Sequence, residues 1–152
     1  MDEVSKFVTP LTAPALLVTS SLILALRVRH RGVHVWLPIA ASPLVAMMAG
    51  QTFTKCLPQQ HSPSSKDGEC EPCFPSGHTT GATAEMLTIA YVLRQESLIG
   101  AGGALALLTM PIIGGLNRLY RDRHWASDIV AGGAAGVVIA SLLSALSEAL
   151  IP

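Results

Sequence analysis

An all-α fold, an integral membrane bundle of about five transmembrane helices, is what three features of the sequence predict: long uncharged runs, little charge overall, and confinement of that charge to short islands between the runs. Half of the residues are hydrophobic and 13% are charged, against the ~25% charged share of soluble domains. A soluble helical bundle is the competing class. Its helices would carry a polar face, whereas four of the five apolar runs here have no charge on any face. Ten basic and ten acidic residues cancel, so there is no basic stripe of the kind nucleic-acid binding needs, and no nucleic acid is expected as a partner.

The first run, Val8 to Leu26, has the length of a bilayer crossing. Met1-Asp2-Glu3-Val4-Ser5-Lys6 carries acids where a secretory leader has a basic segment, so this run is expected to be retained as a true span. It ends in Arg27-Val28-Arg29-His30-Arg31, whose arginines outweigh Lys6 and favour a cytoplasmic connection with the N-terminus outside. The second run, Gly32 to Thr54, contains Pro38 and Pro43, which neighbouring helices can accommodate. Trp36 marks its interface end. The third, Thr79 to Leu93, is short and carries Glu85. Ser97 to Asn117 and Ile129 to Ser147 are the fourth and fifth, and Gly132 and Gly136 form a small-xxx-small pair suited to close helix packing.

Two polar stretches interrupt this pattern. Lys55 to His78 is rich in proline and reads as an ordered loop; 117–128 packs three arginines, a histidine and two aspartates into twelve residues. Each Arg or Asp costs roughly 2.5–3.5 kcal/mol at a bilayer centre, so the second stretch belongs at a membrane surface. Two spans separate the stretches, which puts both on one side, the outer side if the first span sets the orientation. The total of outer cations, with Lys6, Lys55, Lys66, Arg118, Arg121 and Arg123, runs against the positive-inside rule. The orientation rests on the dominance of the first span. The C-terminus is then cytoplasmic.

Chemistry is expected where these stretches meet. His124 and Asp128 are four apart, a spacing that lets a carboxylate reach an imidazole if a helix begins near His124. Arg118 carries the fork of donors that suits phosphate oxygens. Ser76 is placed to cap the following helix, leaving the Gly77 and His78 amides free to bind an anion. With His78 and His124 on opposite sides of a phosphate, one can attack phosphorus while the other protonates the leaving oxygen. Read singly, these features are also those of a basic juxtamembrane loop and a capped helix start.

Phe74-Pro75-Ser76-Gly77-His78 resembles the second signature, Pro-Ser-Gly-His, of the type 2 phosphatidic acid phosphatase and vanadium haloperoxidase superfamily. Arg118, His124 and Asp128 resemble the third, Ser-Arg-x5-His-x3-Asp, with Asn117 in place of the serine. The first signature, Lys-x6-Arg-Pro, is matched by Lys55 and Pro63 but has Ser62 where the arginine belongs. With no long linker and no detectable repeat, one membrane-embedded domain over residues 1–152 is expected, and the resemblance, which covers roughly Lys55 to Gly136, implies that it is a phosphatase. It implies His124 as the nucleophile that forms a phosphohistidine, Asp128 as its orienting partner and His78 as the general acid. Lys55, Ser76, Gly77 and Arg118 would bind the phosphoryl oxygens, with no metal and no other cofactor.

The substrate class implied is a phosphorylated lipid in the plasma (inner) membrane: undecaprenyl pyrophosphate, phosphatidic acid, phosphatidylglycerol phosphate or the lipid A 1-phosphate. Arg121 or Arg123 is a candidate replacement for the absent arginine. Two further readings are a catalytically impaired protein that binds lipid phosphates, and a metal or redox protein built on Cys56, Cys70 and Cys73.

Glu85 lies seven residues after His78, on the same helical face, and an intramembrane acid is a functional candidate by default. It could tune His78 through water, bind a head group or pair with a cation from another helix. Its plainer reading is an acid lifted to a surface by a shift in register. Cys70-Glu71-Pro72-Cys73, with His61 nearby, has half the ligands of a zinc site; a disulfide from Cys56 to Cys70 or Cys73 is the favoured alternative. Tyr120 and Trp125 read as interfacial anchors.

Overall fold

The computed structural model describes residues 14–59, 63 and 74–152. Ser62, His61, Cys70 and Cys73 lie outside the described residues. The chain forms five α-helices there: α1 (Pro14–Val28), α2 (Val33–Cys56), α3 (Gly77–Gln95), α4 (Ala101–Tyr120) and α5 (Ala126–Ala149). A single 3-10 turn, Arg29–Arg31, links α1 to α2. Gly32 follows it with φ +124°, a conformation that side chains disfavour and that lets α2 start back along α1. No strand occurs among the described residues, so the fold is all-α.

Among the described residues three helices, α2, α4 and α5, are long and apolar enough to cross a membrane. Pro38 and Pro43 sit buried within an uninterrupted α2, and Pro111 likewise within α4. Large apolar side chains point outward, among them Ile23, Met48, Leu105, Ile112, Val130 and Leu142. A contiguous apolar exterior of this kind is uncommon in soluble monomers and suits a lipid environment.

Helix α3 is central and packs against α1, α2, α4 and α5. Its inward positions are unusually polar: Thr79, Thr80, Thr83, Glu85 and Thr88 are all buried. Some of this polarity is satisfied within the helix, as where Thr80 Oγ1 donates to Ser76 O at 3.0 Å and Thr88 Oγ1 to Ala84 O at 2.7 Å. The apolar core lies toward the other end, where Ala25, Val28, Val35, Ile39, Ile89, Val92 and Leu93 join α1, α2 and α3.

The small-xxx-small pair does what its spacing predicts. A Cβ on Gly132 would stand 2.7 Å from the Ser76 carbonyl oxygen, and one on Gly136 would stand 2.5 Å from Thr83 Cβ and 2.8 Å from Thr80 O. Helices α3 and α5 therefore meet backbone to backbone, as small residues permit. Because the helices alternate in direction, the start of α3, the end of α4 and the start of α5 gather at one end of the bundle. The opposite end is held by His34 Nε2 against Glu96 Oε1 at 3.3 Å and by Ser147 Oγ donating to His34 O at 2.7 Å. Tyr91 and Glu148 also pair there.

Candidate active site

The start of α3 is built on Ser76. Its Oγ accepts hydrogen bonds from Thr79 N at 3.4 Å and Thr79 Oγ1 at 3.0 Å, the N-cap arrangement its position predicts. Ser76 is fully buried, and its own amide donates to the Asp128 carbonyl at 3.0 Å. That single bond fastens the start of α3 to the start of α5. Gly77 is exposed, with open space where a side chain would stand, so the first-turn amides face room for an anion.

The start of α5 is organised by Asp128, the third residue of the helix and fully buried. Its Oδ2 accepts the Trp125 amide at 2.9 Å and lies 3.4 Å from His124 Nδ1, while Ser127 Oγ stands 3.4 Å from Oδ1. The helix begins at Ala126, so His124 precedes it and the i,i+4 pair forms by the carboxylate reaching back over the helix N-terminus. An acid in the first turn is favoured there by the helix dipole. With Nδ1 toward the carboxylate, Nε2 is the nitrogen turned away from it. The chain reaches this geometry through a tight turn in which Asp122 takes φ 52°, a left-handed conformation that aspartate tolerates better than most residues.

Arg118 completes the group from the last turn of α4. It is 8% exposed, and its Nε has no hydrogen-bond partner among the described residues. A buried guanidinium N–H left open is costly unless something accepts from it. Gly115, whose Cβ would meet Ile129 Cγ2 at 2.8 Å, lets this end of α4 close on α5. His78 feels both neighbours: burial first, then the Arg118 charge, then His124, hold its ring down to about 4. Arg121 and Arg123 are close enough for their charges to act on Arg118.

The structure thus brings His78, Arg118, His124, Asp128, Ser76 and Gly77 to one end of the bundle. It does not bring Lys55 in with them; Lys55 is exposed in the last turn of α2 at that same end. Ser76 Oγ accepts the capping bonds, and the serine also shapes the amide cradle through its backbone. Glu85 does share the His78 face of α3 but is fully buried and bonded to Ser20 of α1, whose Oγ donates to Oε1 at 3.1 Å. Tyr120 and Trp125 are exposed at the bundle end, as interfacial anchors would be. Sequence reasoning missed Thr79 and the Ser76–Asp128 backbone bond. The hydroxyl three residues after a serine cap was the available signal for the first; no side-chain pattern reports the second.

Two clefts flank the start of α3. One, of about 300 Å³ between α1, α2 and α3, is lined by residues including Leu17, Met47, Gln51, Thr54, His78 and Gly81. The other, of about 330 Å³ and almost wholly apolar, lies between α3, α4 and α5 and includes Thr79, Leu108, Leu116, Ile129, Gly133 and Val137.

One end of the helical bundle thus presents two histidines, an acid and a buried arginine around a helix N-terminus. Residues 33–151 match the family model of the PAP2 superfamily, and the chain belongs to that superfamily. It is 35% identical over 78 residues to a lipid A 1-phosphatase of Porphyromonas gingivalis, a match covering 50% of this chain and 16% of that protein. No solved structure matches the chain at a significant level.

Proposed function

We propose that this protein is an integral membrane lipid phosphatase that hydrolyses a lipid phosphomonoester or diphosphate through a phosphohistidine on His124. The observation that carries the proposal is the His124 Nδ1–Asp128 Oδ2 pair at 3.4 Å, with His78 and Arg118 gathered beside it. Asp128 fixes the ring so that Nε2 is the attacking atom. Arg118 and the first-turn amides of α3 neutralise charge on the phosphoryl oxygens as it builds, with Lys55 reaching in from α2. His78 donates its proton to the leaving oxygen as the phosphorus–oxygen bond to the lipid breaks and the bond to Nε2 forms. Water then attacks the phosphohistidine, giving its proton to His78 and releasing inorganic phosphate. The reaction requires no metal.

Burial and the charges of Arg118 and His124 hold His78 neutral above about pH 4. The negative charge of a bound phosphate offsets Arg118, so the substrate itself restores the proton that the acid needs. In this reading α1 and α3 cross the membrane with α2, α4 and α5, the site faces outward in the inner membrane, and the chain is one phosphatase domain. Arg121 or Arg123 supplies the guanidinium that the first signature lacks. The substrate is a lipid A-type phosphate, as the relative's name suggests, or another of the family's lipids such as undecaprenyl pyrophosphate, phosphatidic acid or phosphatidylglycerol phosphate. Trapping tests the mechanism: after brief exposure to phosphate-labelled lipid, acid-labile label should appear on wild-type protein and not on His124→Ala. Label on neither, from folded protein, would favour a lipid-phosphate binder without turnover.

A further inference from the structure

The proposed reaction leaves one buried titratable side chain unused. Glu85 is 0% exposed at the middle of α3, and Ser20 and Ser21 of α1 lie against its carboxyl. The hydrogen bonding there is incomplete. Ser20 has one hydroxyl proton and two acceptors, Leu17 O at 3.1 Å and Glu85 Oε1 at 3.1 Å. Glu85 Oε2 and Ser21 Oγ are both buried and lack a hydrogen-bond partner among the described residues, although Ser21 sits beside the same carboxyl.

Charge decides what completes the cluster. Residues 14–26 of α1, 35–54 of α2, 101–117 of α4 and 129–147 of α5 contain no ionisable cation. Along α3 the nearest candidates are His78 and Arg94, each about 10 Å or more away along the helix axis. Among the described residues, an ionised carboxylate at this depth would be paired with neutral hydroxyls alone, which leaves its desolvation uncompensated. One carboxyl and two hydroxyls also fall short of the six or so oxygens that a hard cation takes. A proton removes the charge, and it leaves Oε2 a donor with Ser21 Oγ beside the carboxyl as an acceptor.

We propose that Glu85, Ser20 and Ser21 form a proton-binding site inside the bundle, with the carboxyl held as the neutral acid and its proton donated from Oε2 to Ser21 Oγ. The resulting chain, Ser20 to Glu85 to Ser21, ties α1 to α3 one turn below the contact of Leu17 with Gly81. It steadies the first two turns of α3, which carry the Ser76 cap and His78. Glu85 is therefore a positioning residue, and the proposal does not rest on the phosphatase reading.

The test is an infrared difference spectrum between the purified wild-type chain and Glu85→Gln at neutral pH in heavy water. The wild type should show the carbonyl stretch of a protonated carboxyl that the variant lacks, and Ser21→Ala should shift that band as its hydrogen bond is lost. Glutamine offers the same acceptor and a donor in place of the acid, so the melting temperature should hold and turnover should change by less than about two-fold. Glu85→Ala removes both and should lower the melting temperature. A difference spectrum showing only carboxylate bands would overturn the proposal, as would a Glu85→Gln chain that fails to fold. Because the band is read without substrate, it decides the matter even if no lipid is hydrolysed.

Discussion

The seam between α3 and α5 and the end of α2 that carries Lys55 share one end of the bundle but are built differently. At the seam, Gly132 and Gly136 allow backbone contact, Ser76 N reaches Asp128 O at 3.0 Å, and Asp128 holds both the Trp125 amide and the His124 ring. At the end of α2, Lys55 is an exposed side chain on a helix terminus. The seam places its groups by covalent and backbone geometry, which a ligand need not supply. Lys55 must be brought to a phosphate by its own flexible stem. On the proposed function, bond making belongs to the seam and an electrostatic contribution to Lys55.

The largest effect expected is at the nucleophile: His124→Ala should lower turnover of any lipid substrate by at least about 10⁴-fold, measured as phosphate release. A residual rate above that would move the nucleophile elsewhere on the seam. Next, His78→Gln should cost about 10²–10⁴-fold on a lipid ester. The loss should shrink sharply with an aryl phosphate, whose leaving oxygen needs no proton. Equal losses on both substrates would make His78 a phosphate ligand and not an acid.

The packing of the seam is tested by Gly132→Val, which drives a side chain toward the Ser76 carbonyl and should cost about 1–3 kcal/mol of stability in thermal unfolding, with turnover falling more steeply. Gly133→Ala, one residue on and facing open space, should stay within about 0.5 kcal/mol of wild type. The contrast with α2 is sharpened by Lys55→Ala, which should raise KM more than it lowers kcat.

A further effect is a pH dependence. His78 is held down to about 4 from its ordinary value near 6.5, so the unfolded chain binds more protons than the folded one between those values. Stability should fall as pH drops from about 6.5 to about 4, and His78→Gln should flatten that limb. By the same linkage, inorganic phosphate should bind the wild type more tightly as pH falls through this window, because phosphate favours the protonated ring.

Much of this was legible in the sequence because membranes impose strict rules. Uncharged runs of bilayer length gave the helices, and the parity of five runs put 74–78 and 117–128 together. Ser76 was readable as a cap and Asp128 as the partner of His124, since both act over fewer than five residues. What could not be read was long-range: that Asp128 would anchor Ser76 through its carbonyl, that Arg118 would be buried with Nε open, and that Glu85 would face Ser20 and Ser21 and not a cation. The apolar spacing of α1 and α3 shows which faces are buried, but not which polar residue on one meets which on the other. The helix does begin near His124, at Ala126, and the Asp128 carboxylate that reaches the ring also accepts the Trp125 amide, a second bond that no spacing announced.

The most direct test of the central claim is phosphate release by detergent-purified protein from a panel of lipid phosphates and diphosphates, with chelator present and His124→Ala beside the wild type. The account predicts release from at least one lipid that survives the chelator and is lost in the variant. Release from none of them by folded protein, or release that His124→Ala retains, would contradict it.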